Sequence, residues 1–331
     1  MVWNKGVIME LFKYEKSLGF MSQARFVIIL SIVLFFAALA LLTTRGLNYG
    51  IDFAGGTLIQ VKYDTNAPID KMREKLQTNP IFEGSSITEF GSPDEVVIRM
   101  KTVTSDVVVD IGDVTGEALK GTGNFEIRRV DIVGPKVGGE LKEKGFTAFV
   151  LAIIGILIYV SFRFEWRFAV ASMIALVHDI FITIGAVALF NVEVNLDILA
   201  AVLTILGYSL NDTIIIFDRI RENVIDSKNM KLADIINEAI TKTLSRTTLT
   251  SLTTLFVVFT LFLFGGEIIH AFAFTLLVGL TLGTFSSIFV ASPILVWLNF
   301  DVKNYHVKLA EKAKREAEKQ RIRDQYESGV M

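Results

Sequence analysis

Hydrophobic residues fall into six long runs, at 25–43, 146–162, 168–190, 196–217, 245–264 and 269–298. Each is long enough to cross the roughly 30 Å hydrocarbon core of a bilayer as a helix. The last run exceeds one crossing, and tilt or an end near Ser292-Pro293 would absorb the excess. Ala38-Leu39-Ala40 in the first run resembles a processing site. The apolar core from Phe26 to Leu42 is long for a signal peptide, so a retained anchor is expected.

The pattern changes between the first two runs. Residues 44–145 are polar enough, and numerous enough, to form a soluble domain with its own core. Alternation predicts strands at 57–64, 86–90, 95–101 and 125–133, with Gly91-Ser92-Pro93 joining the middle pair. Residues 68–77 read as a helix opened by Pro68. Val107, Ile111, Val114, Ala118 and Leu119 recur at helical spacing, although Val107-Val108-Val109 leaves a strand open. The order β-α-β-β-α-β is that of a ferredoxin-like α+β sandwich. A second polar stretch, 218–243, carries Leu232, Ile235, Ile236, Ala239 and Ile240 on one face. It reads as an amphipathic helix lying on the membrane or a partner. The Lys/Glu/Arg-rich stretch 308–327 within the tail, 299–331, favours helix, solvated or in contact with anionic lipid or a partner. No internal repeat is evident.

Composition agrees with a multi-span membrane protein: 331 residues, 52% hydrophobic, 26 phenylalanines and a mean hydropathy of +0.51. Charge then sets orientation. Lys5, Lys13, Lys16 and Arg25 precede the first run, within a cytoplasmic segment 1–24. Arg163 and Arg167 follow the second, and Arg219, Arg221, Lys228, Lys231, Lys242 and Arg246 follow the fourth. Eight basic residues lie from Lys303 onward, whereas 191–195 and 265–267 carry none. Both termini are therefore expected in the cytoplasm, with 44–145 outside.

The candidate chemistry lies in the membrane. Asn211-Asp212 interrupts the fourth run, where an ionised carboxylate is costly and commonly functional. The alternative is a polar pair bonded to a neighbouring helix. Arg246 opens the next run within TLSRTTLTSLTT, whose eight hydroxyls either line a wet path or bond back to their own backbone. An acid and a base on consecutive helices suggest a protonation device, although an arginine at a helix start can also snorkel to the interface. His178-Asp179, midway in the third run, is either a relay or a hydrogen-bonded pair that fixes helix orientation. Adjacent helical residues point about 100° apart, so at most one should face a given partner. Gly279 and Gly283 form a close-packing GxxxG pair. Gly46 and Gly50, with Gly134, Gly138 and Gly139, flank the soluble domain as candidate hinges.

Much is excluded. The chain has no cysteine, and its three histidines, 178, 270 and 306, are too scattered for a metal site. YGIDFAGGT, from Tyr49 to Thr57, lacks the strand-then-helix context of a phosphate loop. The soluble domain has no catalytic constellation. An enzyme is not expected, nor a cofactor, metal or nucleic-acid partner.

YGIDFAGGT after the first run, GPKVGGEL before the second, GYSLNDTIIIFDRIREN and TLSRTTLTSLTT together resemble the SecF side of the SecD/SecF protein-export family. That family lies within the resistance–nodulation–division superfamily, and the likeness runs from about residue 19 to 298. It implies six spans, a SecD partner supplying six more, and work beside the SecYEG channel on a translocating secretory polypeptide. YajC and membrane lipid are further implied partners, and the location is the cell inner membrane. It further implies that the proton-motive force drives the process, with Asp212 as the proton-path acid and Arg246 as its arginine. A self-contained small-solute exporter and a non-titrating scaffold of the channel are the competing classes.

Overall fold

The computed structural model describes residues 17–100, 110–227 and 230–327. The expectations resting on Lys5, Lys13, Lys16, Val107 to Val109 and Lys228 lie outside them. Six helical stretches are long and apolar enough to cross a membrane. They are α1 (Phe20–Thr44), α5 (Pro135–Arg163), α6 (Trp166–Leu189), α7 (Leu196–Asp226), α8 (Leu232–Phe264), and a sixth, Gly266–Trp297, that begins as α9 (Gly266–Ser286). The sixth stretch continues through a π-helical turn, Ser287–Ala291, into α10 (Ser292–Trp297). Helices suit this solvent because they satisfy every backbone group internally. Pro293 lacks the N–H for the next helical bond, and the wider turn before it takes up the mismatch. Ser292 Oγ donates to the Ser287 carbonyl at 2.9 Å across that turn.

Two boundaries differ from the apolar-run reading. Helix α5 starts at Pro135, where the extended Gly134 and a proline at the first position open it directly beneath the soluble domain. Its first turns carry Lys136, Glu140, Lys142, Glu143 and Lys144, which hid them from a search for apolar runs. The separate amphipathic helix at 218–243 does not exist. Its residues extend α7 and α8, and Ile235, Ile236, Ala239 and Ile240 pack into the chain's own core beside Phe217, Ile220, Val224 and Leu295. The stripe was real, but its partner is internal. The tail forms helix α11 (Val302–Glu327).

The sheet domain follows α1 through a short helix, α2 (Ile51–Ala54). Strands β1 (Gly56–Tyr63), β2 (Ser86–Phe90), β3 (Ser92–Met100) and β4 (Phe125–Val133) pair antiparallel in the order β2-β3-β1-β4. Helix α3 (Ile69–Gln77) joins β1 to β2, and α4 (Ile111–Ala118) leads from β3 toward β4. Strands β1 and β2 run parallel with β3 between them, which is the split-βαβ, ferredoxin-like arrangement. Alternation on β1 buries Ile59, Val61 and Tyr63 against Met72, Leu76, Phe82 and Leu119. The opposite face turns Leu58, Gln60, Arg99 and Arg129 toward the ends of the spanning helices, across a cavity of about 630 Å³.

Candidate functional site

Helices α7 and α9 approach closely because glycine allows it. A Cβ on Gly279 would lie 2.1 Å from Ile205 Cδ1, and one on Gly283 would lie 2.9 Å from Ser209 Cβ. The Gly279/Gly283 pair is thus a packing seam. It brings hydroxyls of α9 to the acids of α6 and α7.

Asp212 lies on α7, 1% exposed, and faces α8. Ser251 Oγ donates to its Oδ2 at 3.2 Å, and Thr284 of α9 donates to Ser251 Oγ at 3.0 Å. Oδ1 is buried with no partner among the described residues, as is the hydroxyl of Thr247, one turn before Ser251. A buried polar group left without a hydrogen bond costs about 1–3 kcal/mol. Arg246 does not pair with Asp212 but is exposed on α8. Asn211 is exposed as well.

Half of the eight hydroxyls in the stretch follow the plainer expectation. Thr243, Thr250, Thr253 and Thr254 each bond to a backbone carbonyl one turn back on α8. Ser251 reaches the acid.

Asp179 is fully buried and fully bonded. Its Oδ2 accepts from Ser209 Oγ at 2.7 Å and from Ser286 Oγ at 2.6 Å, tying α6 to α7 and α9. Its Oδ1 lies 2.9 Å from His178 Nδ1. The two neighbours therefore meet despite their divergent Cα–Cβ directions. His178 Nε2 is buried without a partner among the described residues, beside an apolar cavity of about 410 Å³ lined by Phe35, Ile294 and Trp297. Sequence reasoning missed Ser209, Thr284 and Ser286. Ser209 sits inside GYSLND, and Ser286 follows Gly283 by three residues, so helical spacing from the GxxxG seam was the available signal.

The candidate hinge glycines divide. Gly46, at φ +72°, and Gly134 have open space around them. A Cβ on Gly50 would meet Glu193 Oε1 at 2.7 Å, and one on Gly138 would meet the Gly55 nitrogen at 3.0 Å. Gly138 and Gly139 both lie inside α5. Gly50, Gly138 and Gly139 are thus packed or helical positions, while Gly46 and Gly134 lie outside the helices with open space around them.

The geometry can be set beside known proteins. Residues 114–301 match the C-terminal family of SecD/SecF protein export membrane proteins, and residues 40–67 match the SecD/SecF GG motif. The chain belongs to the SecD/SecF protein-export family. It is 47% identical over 321 residues to protein translocase subunit SecF of Helicobacter pylori strain 26695, covering 97% of this chain and 99% of that one. It is 40% identical to the Escherichia coli O157:H7 subunit SecF, covering 86% and 88%. Among solved structures it resembles SecDF, a translocon-associated membrane protein from Thermus, with a TM-score of 0.77 and 34% identity. A super-membrane-facing form of SecDF gives 0.64 and 33%. The first match covers 86% of this chain and 39% of SecDF, so the chain spans about two fifths of that protein. The GG motif has a physical reason here. Gly55 and Gly56 both have positive φ, and a Cβ on either would press on the backbone, at Pro135 Cα (2.9 Å) or the Met100 carbonyl (2.8 Å). The family is one of multi-pass membrane proteins, in keeping with the six spanning helices.

Proposed function

We propose that this chain is an accessory subunit of the Sec translocase. It works with a SecD-type subunit, and Asp212 couples protein export to the proton-motive force. Family membership supports the translocase role, since the curated relatives are translocase subunits named SecF. Beside it would stand the SecYEG channel, a secretory polypeptide in transit and YajC, all implied by the resemblance. The termini would face the cytoplasm and the sheet domain the outside of the inner membrane.

The observation that carries the coupling is the buried Asp212, half bonded among the described residues and hydrogen-bonded to the helix that carries the exposed Arg246. Ionised, the carboxylate attracts Arg246 and draws α7 toward α8. Protonated, it has no charge to hold that arginine. At 4 Å the attraction is about 4 kcal/mol for an effective dielectric of about 20. The membrane potential supplies about 2.3 kcal/mol per charge per 100 mV. The two are comparable, so a proton gradient can decide which arrangement prevails.

Exposure supports a second subunit. Arg246 and Asn211 are exposed on spanning helices, and Leu249, Leu252, Phe256 and Val257 flank Arg246 on the same helix. A guanidinium turned to lipid is costly, so a protein surface should cover that face. A self-contained exporter would need that surface on its own chain. A scaffold would have no use for an unbonded buried carboxylate oxygen. Gentle extraction followed by mass analysis should recover this chain with a SecD-type protein. A stable, active monomer would overturn the partnership.

A further inference from the structure

The turn 190–195 between α6 and α7 is fastened to the segment leaving α1. Tyr49 and Val194 form a parallel bridge, with the Gly50 N–H donating to the Val194 carbonyl at 2.9 Å and the Val194 N–H to the Asn48 carbonyl at 2.7 Å. Arg99 of β3 pairs with Glu193 at 2.6 Å. Asp52 completes the joint. Its Oδ2 accepts from the Leu196 N–H, the first amide of α7, at 3.0 Å. The Asn195 side chain accepts from Ile198 N two residues further on. Helix α7 therefore begins on two caps, one its own and one lent by the segment that enters the sheet domain. The Asp52 charge also sits at the positive end of the helix dipole.

The same domain approaches α9 at the β2–β3 turn, where a Cβ on Gly91 would lie 3.2 Å from Cγ of Glu267, in the first turn of that helix. Helix α9 packs on α7 along the Gly279/Gly283 seam, so both contacts stay on the α7 side if α7 and α8 part.

We infer that Asp52 is a positioning residue for α7: it caps the helix that carries Asp212 and makes the sheet domain and that helix one moving part. Asp212 lies about 24 Å along the helix from the cap, and a capped helix transmits displacement over that length without bending at its start. The sheet domain then rides on α7. This rests on the proton-coupling reading, but its first test does not.

Amide hydrogen exchange is measured on the purified complex with its SecD-type partner, with no gradient applied. Asp52→Ala should speed exchange over 195–199 by about fivefold, the loss of one cap. Asp52→Asn, whose amide oxygen still accepts, should stay near the parent. Equal exchange in parent and Asp52→Ala would overturn the cap.

The second test closes the joint covalently with Tyr49→Cys and Val194→Cys, since bridged backbones run about 4.8 Å apart, within disulfide range. Oxidising this pair should leave gradient-dependent export at the parental level. It should also restore the export that Asp52→Ala loses. Loss of export on oxidation would mean that the joint opens during the cycle, and would overturn the single moving part. If Asp212→Asn keeps its response to the gradient, the coupling reading fails, while the exchange result still decides the cap.

Discussion

Ser251 faces Asp212 across the α7–α8 contact and donates to its Oδ2 at 3.2 Å, while Arg246, five residues earlier on the same helix, is exposed. The serine holds the acid in the arrangement where the arginine does not. Under the coupling proposed above, bonding to one and approach by the other would be alternatives. Ser251→Ala would leave the carboxylate without either described partner. Gradient-dependent export should fall by about tenfold, the worth of one hydrogen bond to a charged group. Ser251→Thr keeps the hydroxyl and should retain most of it. Export rates in membranes carrying equal amounts of each variant decide this.

Asp179 is expected to behave differently. Its three hydrogen bonds tie α6 to α7 and α9, so cohesion is the role expected of it. Asp179→Ala strands two buried hydroxyls and should lower the midpoint of thermal unfolding in detergent by several degrees. Asp179→Asn keeps an acceptor for the serines and should export with an unchanged dependence on the gradient. Loss of that dependence at normal stability would make Asp179 part of the relay.

The α7–α9 seam offers a packing test. Gly283→Ala places a methyl against Ser209 and displaces one donor of the Asp179 node. Overpacking of this kind costs about 1–3 kcal/mol. Thermal unfolding should show it, and an unchanged midpoint would mean that the helices sit further apart than described.

How much of this could be read from the chain follows from what each signal depends on. The spans were legible because lipid forces long apolar runs, and the sheet domain because β1 alternates cleanly from Thr57 to Tyr63. The start of α5 was not, since Lys136 to Lys144 make it polar while Gly134-Pro135 still opens a helix. The stripe from Leu232 to Ile240 was visible, but periodicity shows that a face is buried and not against what. Asp212, Arg246, His178 and Asp179 stood out as charges in apolar runs. Their partners Ser209, Thr284 and Ser286 did not, because serine and threonine are common in such helices. Only the crossing of α7 and α9 at Gly279 and Gly283 selects them.

The sheet domain carries its own pH signature. Burial raises the pKa of Tyr63 above 10.0, outweighing the opposite pull of its hydrogen bond with Thr122. In the unfolded chain this phenol ionises near 10.0, so its contribution to stability is complete below that pH. It is lost as pH rises through the higher folded value. Denaturant unfolding of the domain should weaken with pH above about 10. Tyr63→Phe should flatten that dependence, and an equal slope in both proteins would contradict the assignment.

The central claim is that Asp212 titrates in order to work. The direct measurement is export of a model secretory protein, with and without a proton gradient, in membranes containing equal amounts of parent and Asp212→Asn. The substitution preserves size and an acceptor for Ser251 but removes the exchangeable charge. The account predicts normal assembly and the same export as the parent without a gradient, with no gain when the gradient is applied. An Asp212→Asn complex that responds to the gradient as the parent does would show that the carboxylate is structural and that coupling lies elsewhere.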